Sequence, residues 1–442
     1  MQTSSGGGAA TPEPTHPLQL PKFRAYLVAR FVTVLAQQGM VLIIAWQAYN
    51  IARATMSAPA AAAQLGMIGL IQFVVLFALT PFSGLIADQF DRRRIGQLAM
   101  CVQLCVALTL AAGSMGGWIS LPIIFTIAGI MGAARAFLGP SLGSLTANIV
   151  PLPLMPRAIA LGSIGFQTGT VVGPAIAGYA YAAQPHYAYL ASALMFLIGL
   201  VGLFLVGKVQ QAPPDRTRHP LRQIVDGLAY VRQNRLVQAT ITLDLCAVLL
   251  AGATALLPVY AREILHVGSR GLGHLAAAPG IGAALMAFYF SVWPMKHNVG
   301  IKMLGAVIIF GLATICFGAT AFLPDAFRMP VALASMVVWG AADMVSVFVR
   351  QSLVQIHTPD AMRGRVGSVS QLTISASNEL GEAESGFLAA LIGPVAAVIS
   401  GGVGAILITL IWFKIYPELR LARSFDPSDL PPHKDQPQGA AP

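Results

Sequence analysis

A helix needs an apolar run of roughly 20 residues to cross about 30 Å of hydrocarbon, and this chain contains twelve such runs. They fall near 25–50, 64–88, 95–116, 120–148, 158–183, 188–207, 236–260, 271–293, 301–323, 330–356, 365–392 and 394–416. Backbone groups in lipid must find their partners within the structure, which leaves helices or a closed barrel. The apolar-out, polar-in alternation of barrel strands is absent. Of the 442 residues 56% are hydrophobic and only 10% charged, too little charge to cover a soluble domain of this size. The expected fold is an all-α polytopic membrane protein with twelve transmembrane helices.

The ends read differently. Residues 1–22 and 417–442 are rich in small, polar and Pro residues, and are expected to be disordered tails. The first has neither the basic start nor the apolar core of a signal peptide. Orientation follows from the 27 Lys and Arg residues. With the N-terminus in the cytoplasm and the runs alternating, only Arg53, Arg262, Arg270 and Arg328 fall outside, while Arg135 lies within the fourth run. The positive-inside rule then places both termini in the cytoplasm. The net charge of +10 is a topology signal, with some attraction to anionic lipid, and implies no nucleic-acid partner.

Cys101, Cys105, Cys246 and Cys316 all sit in apolar runs, where packing is the simplest reading, and no metal-ligand spacing is present. The histidines are scattered. With no nucleophile–base or metal constellation, the chain is expected to be neither an enzyme nor a holder of a cofactor or metal.

A repeat organises the chain. GAAR at 132–135 returns as GAAD at 340–343, an offset of 208, and the same offset aligns Pro151 with Pro359 and Arg157 with Arg365. GPAIAGYAYA (173–182) aligns with GEAESGFLAA (381–390), and LVAR (27–30) matches LVQA (236–239) one residue further on. The expected organisation is two six-helix bundles, 23–207 and 236–416, joined by a cytoplasmic segment, 208–235. Parallel repeats of this kind are related by an axis along the membrane normal, with a site between them near the midplane. In the joining segment Leu221, Ile224, Val225, Leu228 and Val231 recur at helical spacing, predicting an amphipathic helix along the membrane surface.

These residues carry a resemblance. GLIADQFDRRRIG (84–96) resembles the signature loop of the major facilitator superfamily, keeping Gly84, Leu85, Asp88, Arg92 and Arg93, with Asp91 where the family usually has Gly. Arg135 with Gly139 resembles its buried-arginine motif. Gly169, Gly173, Pro174 and Gly178 resemble the motif of its antiporters, with Ala177 for the usual Gly. PKFRAYLVARF (21–31) and HTPDAMRGRVG (357–367) are similar to the bacterial branch of the enterobactin (siderophore) exporter and the drug:proton antiporters. The resemblance covers residues 20–415. It implies secondary active transport by alternating access across the bacterial inner membrane: proton-coupled efflux of a small organic molecule such as a siderophore or drug.

Physical readings stand beside it. Asp88 with Arg92, Arg93 and Arg94 at a helix end could form a cytoplasmic charge latch between the halves, or be a basic loop obeying the positive-inside rule. Glycines at 165, 169, 173 and 178 around Pro174 suit a close, bendable helix seam, or ordinary small-residue packing.

Charge within a span costs about 3 kcal/mol even on permissive scales and points to function by default. The candidates are Arg135, Asp244, Asp343, Glu379, Glu382 and Glu384. Glu379 and Glu382, three apart, share a helix face, whereas Glu384 points elsewhere. Closely spaced carboxylates in a desolvated site suit proton binding and release; the alternative is a structural role, pairing with Arg135. Arg135 and Asp343 occupy equivalent places in the two halves, and could attract each other or hold opposite ends of a polar ligand. The expected partners are a small-molecule substrate, protons and lipid, with the chain a monomer and the proton gradient its energy source. The same scaffold could serve an importer or uniporter; a membrane-embedded enzyme or a sensor is the distant alternative.

Overall fold

The computed structural model describes residues 15–209 and 220–426. Most of the two tails, and residues 210–219 of the joining segment, lie outside the described residues. What is described is helical. In chain order the helices are α1 (Pro21–Arg53), α2 (Ala58–Gln89), α3 (Arg92–Gly116), α4 (Leu121–Ile149), α5 (Met155–Ala183), α6 (Pro185–Val206), α7 (Pro220–Gln233), α8 (Arg235–Leu250), α9 (Leu257–Val259), α10 (Ser269–Val292), α11 (Val299–Ala319), α12 (Asp325–Ile356), α13 (Asp360–Ile392), α14 (Pro394–Ile415) and α15 (Pro417–Leu421). Among the described residues eleven helical segments are long and apolar enough to cross a membrane. The further long helix, α13, spans 33 residues but carries six charged ones, Asp360, Arg363, Arg365, Glu379, Glu382 and Glu384.

Local chemistry sets the boundaries. Helices α1, α2, α4, α5, α6 and α14 open with a proline in their first turn, where the missing N–H has no intrahelical partner to lose. Helix α3 starts at Asp91, whose carboxylate accepts from the Arg93 N–H at 2.9 Å. The residue that departs from the signature loop thus works as an N-cap. Gly117 and Gly393, which end α3 and α13, have φ of +69° and +87°, a region side chains disfavour.

The run at 236–260 is not one continuous helix. It breaks after α8 at Ala251 and Gly252, continues as a 3₁₀ turn (Ala253–Leu256), and ends in a π turn (Tyr260–Ile264). Gly252 lets the broken segment pack closely on α13: a Cβ there would sit 2.5 Å from the Gly381 carbonyl oxygen.

Helices α1 to α6 pack among themselves through α1–α5, α1–α6, α3–α6, α2–α4 and α3–α4. Helices α8 to α14 do so through α10–α12, α11–α12, α11–α14, α8–α13 and α8–α14. Two extensive seams join the groups, α2 with α13 and α5 with α10. We call the side where α1 begins and α14 ends the terminal side, and the opposite one the far side. On the far side one apolar core runs through both groups, including Tyr49, Ala62 and Leu65 with Leu257, Tyr260 and Leu272. Nearer the terminal side the cores are separate, one around Phe23, Tyr26 and Leu145, another around Leu236, Met303 and Leu353.

Helix α7, expected along the membrane surface, keeps Val225 and Leu228 of its apolar stripe exposed and buries Val231. It docks on α13: Val231 and Ile224 join Val366 and Val369 in a small core. Asp226 pairs with Arg365 at 3.2 Å, and the Tyr230 hydroxyl donates to the His357 carbonyl at 2.9 Å. A Cβ on Gly227 would meet the Arg365 carbonyl at 2.6 Å, so the helices touch backbone to backbone.

Candidate functional site

Between the two groups lies a cavity of about 440 Å³, walled by α1, α2, α4, α5, the broken segment after α8, α10, α12 and α13. This volume is in the range that holds small molecules. Four charged side chains line it: Arg135 on α4, Asp343 on α12, and Glu379 and Glu382 on α13. Pro174, at the repeat position equivalent to Glu382, lines it too. The neutral polar lining comes from Gln38, Gln72, Thr170, Thr254 and Asn378; Leu65, Ile68 and Trp339 are among its apolar walls.

The repeat equivalents Arg135 and Asp343 therefore share one cavity, but they do not form the pair their opposite charges invite. Arg135 Nη1 lies 2.9 Å from Glu379 Oε1 and donates to Gln72 Oε1 at 2.9 Å. Glu379 is buried, and its Oε2 has no hydrogen-bond partner. The structural reading of Glu379, a partner for Arg135, thus describes its geometry. The i, i+3 spacing does bring Glu379 and Glu382 to the same face of α13, whereas Glu384, outside the lining, turns toward Ser385 at 3.4 Å.

Asp244 is not a member of this lining. It is buried inside the C-terminal group and pairs with Arg350 at 3.4 Å, both side chains almost fully enclosed. Asp343 reaches both places, since it also lines a small hollow with Asp244 and Ser346. In the sequence Arg350 is inconspicuous, because it sits near enough to the end of its run to read as a topology charge. The detectable signal was spacing: Asp343 and Arg350 are seven apart and therefore on one helix face.

Polar contacts crossing between the groups occur at mid-depth and on the far side. Arg53 Nε pairs with Glu263 at 2.8 Å and the Tyr49 hydroxyl donates to the same carboxylate at 3.2 Å. Arg262 donates to Asn50. Tyr179 bonds His274 at 2.9 Å, and Gln167 Nε2 reaches the Gly280 carbonyl at 3.3 Å. The glycine seam of α5 packs closely both within its own group and across to the other. A Cβ on Gly173 would sit 2.6 Å from the Leu35 carbonyl on α1, and one on Gly178 would strike the Ser269 carbonyl on α10. Gly169 lies against Val34, while Gly165 is only in ordinary contact with Leu27 and Phe31.

The signature loop is partly visible. Gly84, Leu85 and Asp88 fall within α2, but their side chains lie outside the described residues. Arg93 and Arg94 approach Asp91 at 4.0 and 3.9 Å, a local contact at the start of α3; Arg92 is the first residue of that helix.

Two helical groups around a shared polar cavity, sealed on one side by a common core, define a membrane transport protein. The Major Facilitator Superfamily model matches residues 27–382, and the chain belongs to that family. Among curated relatives, the enterobactin exporter EntS of Shigella flexneri is 24% identical over 415 residues, 92% of this chain and 94% of the exporter. Among solved structures, a POT family transporter in complex with 5-aminolevulinic acid superposes with a TM-score of 0.71 at 14% identity, covering 90% of this chain and 97% of that one. A D-xylose-proton symporter does so with a TM-score of 0.64 at 16% identity, covering 90% and 98%. These structural likenesses speak to the fold.

Proposed function

We propose that the chain is a proton-coupled exporter, carrying a small organic molecule such as a siderophore or drug across the bacterial inner membrane by alternating access. Both termini face the cytoplasm in this reading, so the far side is the periplasmic one. The observation that carries the proposal is the cavity between the groups, lined by Asp343 and Glu382, neither of which forms an ion pair among the described residues. Carboxylates held away from water are costly when charged, and taking up protons relieves that cost. A protonation change that alters how readily the groups close supplies the differential free energy that alternating access requires. Full-length similarity to an exporter favours outward transport.

The test is accumulation. A deletion strain and its complemented parent are loaded with a panel of iron chelators and cationic dyes, with and without an uncoupler. Export predicts higher retention of at least one compound in the deletion strain, and the difference should vanish when the uncoupler collapses the proton gradient. Lower uptake in the deletion strain would make it an importer, and a difference indifferent to uncoupler a uniporter; either contradicts the proposal.

A further inference from the structure

The charge lining the cavity is unbalanced. One cation, Arg135, faces three carboxylates, Glu379, Glu382 and Asp343. Arg135 is already committed, with one nitrogen shared between Glu379 at 2.9 Å and Gln72 at 2.9 Å. Beside the cavity, Asp244 and Arg350 are set against each other at 3.4 Å. Asp343, with Asp244 on α8 and Arg350 on its own helix nearby, and Glu382, with Glu379 on its own helix and Arg135 on α4, form no ion pair among the described residues, the two cations being paired with Asp244 and Glu379. Among the described residues, the faces of α1, α2, α5 and α10 that line the cavity contribute no charged side chain.

An anionic ligand entering this space would add its charge to at least two uncompensated carboxylates. A cation would neutralise them. The remaining walls suit an apolar body: Leu42, Leu65, Ile68 and Leu257 line the cavity, and Trp339 lies one helical turn from Asp343. An indole near a carboxylate is a favourable surface for a cationic centre.

We propose that this cavity selects organic cations, an amine or quaternary centre on an apolar body, held by Asp343 and Glu382 and released when those carboxylates take up protons. The proposal rests on the reading of this cavity as the transport site. It names the substrate class, and makes proton and substrate alternative occupants of the same two groups.

The experiment is binding to the purified full-length protein in nanodiscs, with tetraphenylphosphonium as the cationic probe and dihydroxybenzoate as the anionic one. Tetraphenylphosphonium should bind, more tightly on the alkaline side of neutrality than on the acid side, and dihydroxybenzoate should not compete. Asp343→Asn and Glu382→Gln should each weaken the cation by about tenfold to a hundredfold, the scale of one charge contact at intermediate dielectric. Glu384→Gln, on the same helix outside the cavity lining, should bind as wild type. Thermal unfolding in detergent checks that each variant is folded; for one that is not, Asp343→Glu and Glu382→Asp, which keep the charge, take its place and should retain the cation. Equal cation affinity in folded wild type, Asp343→Asn and Glu382→Gln, or tighter binding of dihydroxybenzoate, would overturn the assignment. Cation binding as described, together with uncoupler-insensitive retention in cells, would overturn proton-coupled export and leave the substrate class standing.

Discussion

At the scale of single residues, the central observation is that intramembrane charges in this chain sort into two kinds. Arg135 with Glu379, and Asp244 with Arg350, are paired. Asp343 and Glu382 are not, and face the cavity. Burying an ion pair gains little over apolar packing, but removing one partner leaves a buried charge that costs about 3–5 kcal/mol. Arg350→Met should therefore lower stability by roughly that amount, and Arg350→Met with Asp244→Leu should recover most of it, read as thermal unfolding in detergent. An unchanged melting temperature in the single variant would mean that the pair carries no such strain. The sequence pointed to every charged residue of the cavity, because charge within an apolar run is conspicuous. It could not assign the pairings. Repeat symmetry suggested Arg135 with Asp343, but a side chain's partner depends on how α2, α4 and α13 approach in space. Gln72 went unnoticed for a different reason: a neutral amide in an apolar helix carries little signal.

Helices and seams were legible to a different degree. Among the described residues eleven of the runs fall on helical segments long and apolar enough to span, and the run at 365–392 on the more charged α13, because apolar length is a property of each segment alone. The break in the run at 236–260 was missed, since Gly252 acts through its closeness to Gly381 on another helix. The docking of α7 was not legible for the same reason, since an apolar stripe does not show how much of it another helix covers. Seams between the groups depend on small residues. A Cβ on Gly386 would sit 2.5 Å from the Gly66 Cα, so α13 and α2 meet backbone to backbone. Gly386→Val should prise this seam apart. A cysteine at Leu65, on the cavity wall, should then become reactive toward a membrane-impermeant maleimide added from the far side. No gain in labelling would show that this seam does not seal the cavity.

Across the whole molecule, the apolar core shared by both groups and the Tyr49–Arg53–Glu263 cluster lie on the same side. In the proposed orientation and mechanism, that side is the one that opens for the cavity to empty outward. Glu263→Gln should raise far-side labelling of the Leu65→Cys protein, and exchanging the charges through Arg53→Glu with Glu263→Arg should lower it again. Failure of the exchange to restore protection would locate the seal in the apolar core alone. The latch expected around Asp88 belongs to the opposite, terminal side, where the two groups have separate cores. The most direct measurement of the central claim is proton release from proteoliposomes when the compound retained by the deletion strain is added. The wild type should release protons on addition. Asp343→Asn and Glu382→Gln, given enough compound to offset their weaker binding, should show that proton signal reduced at least several-fold. Wild-type proton release in both variants would remove the two carboxylates from coupling and contradict the account.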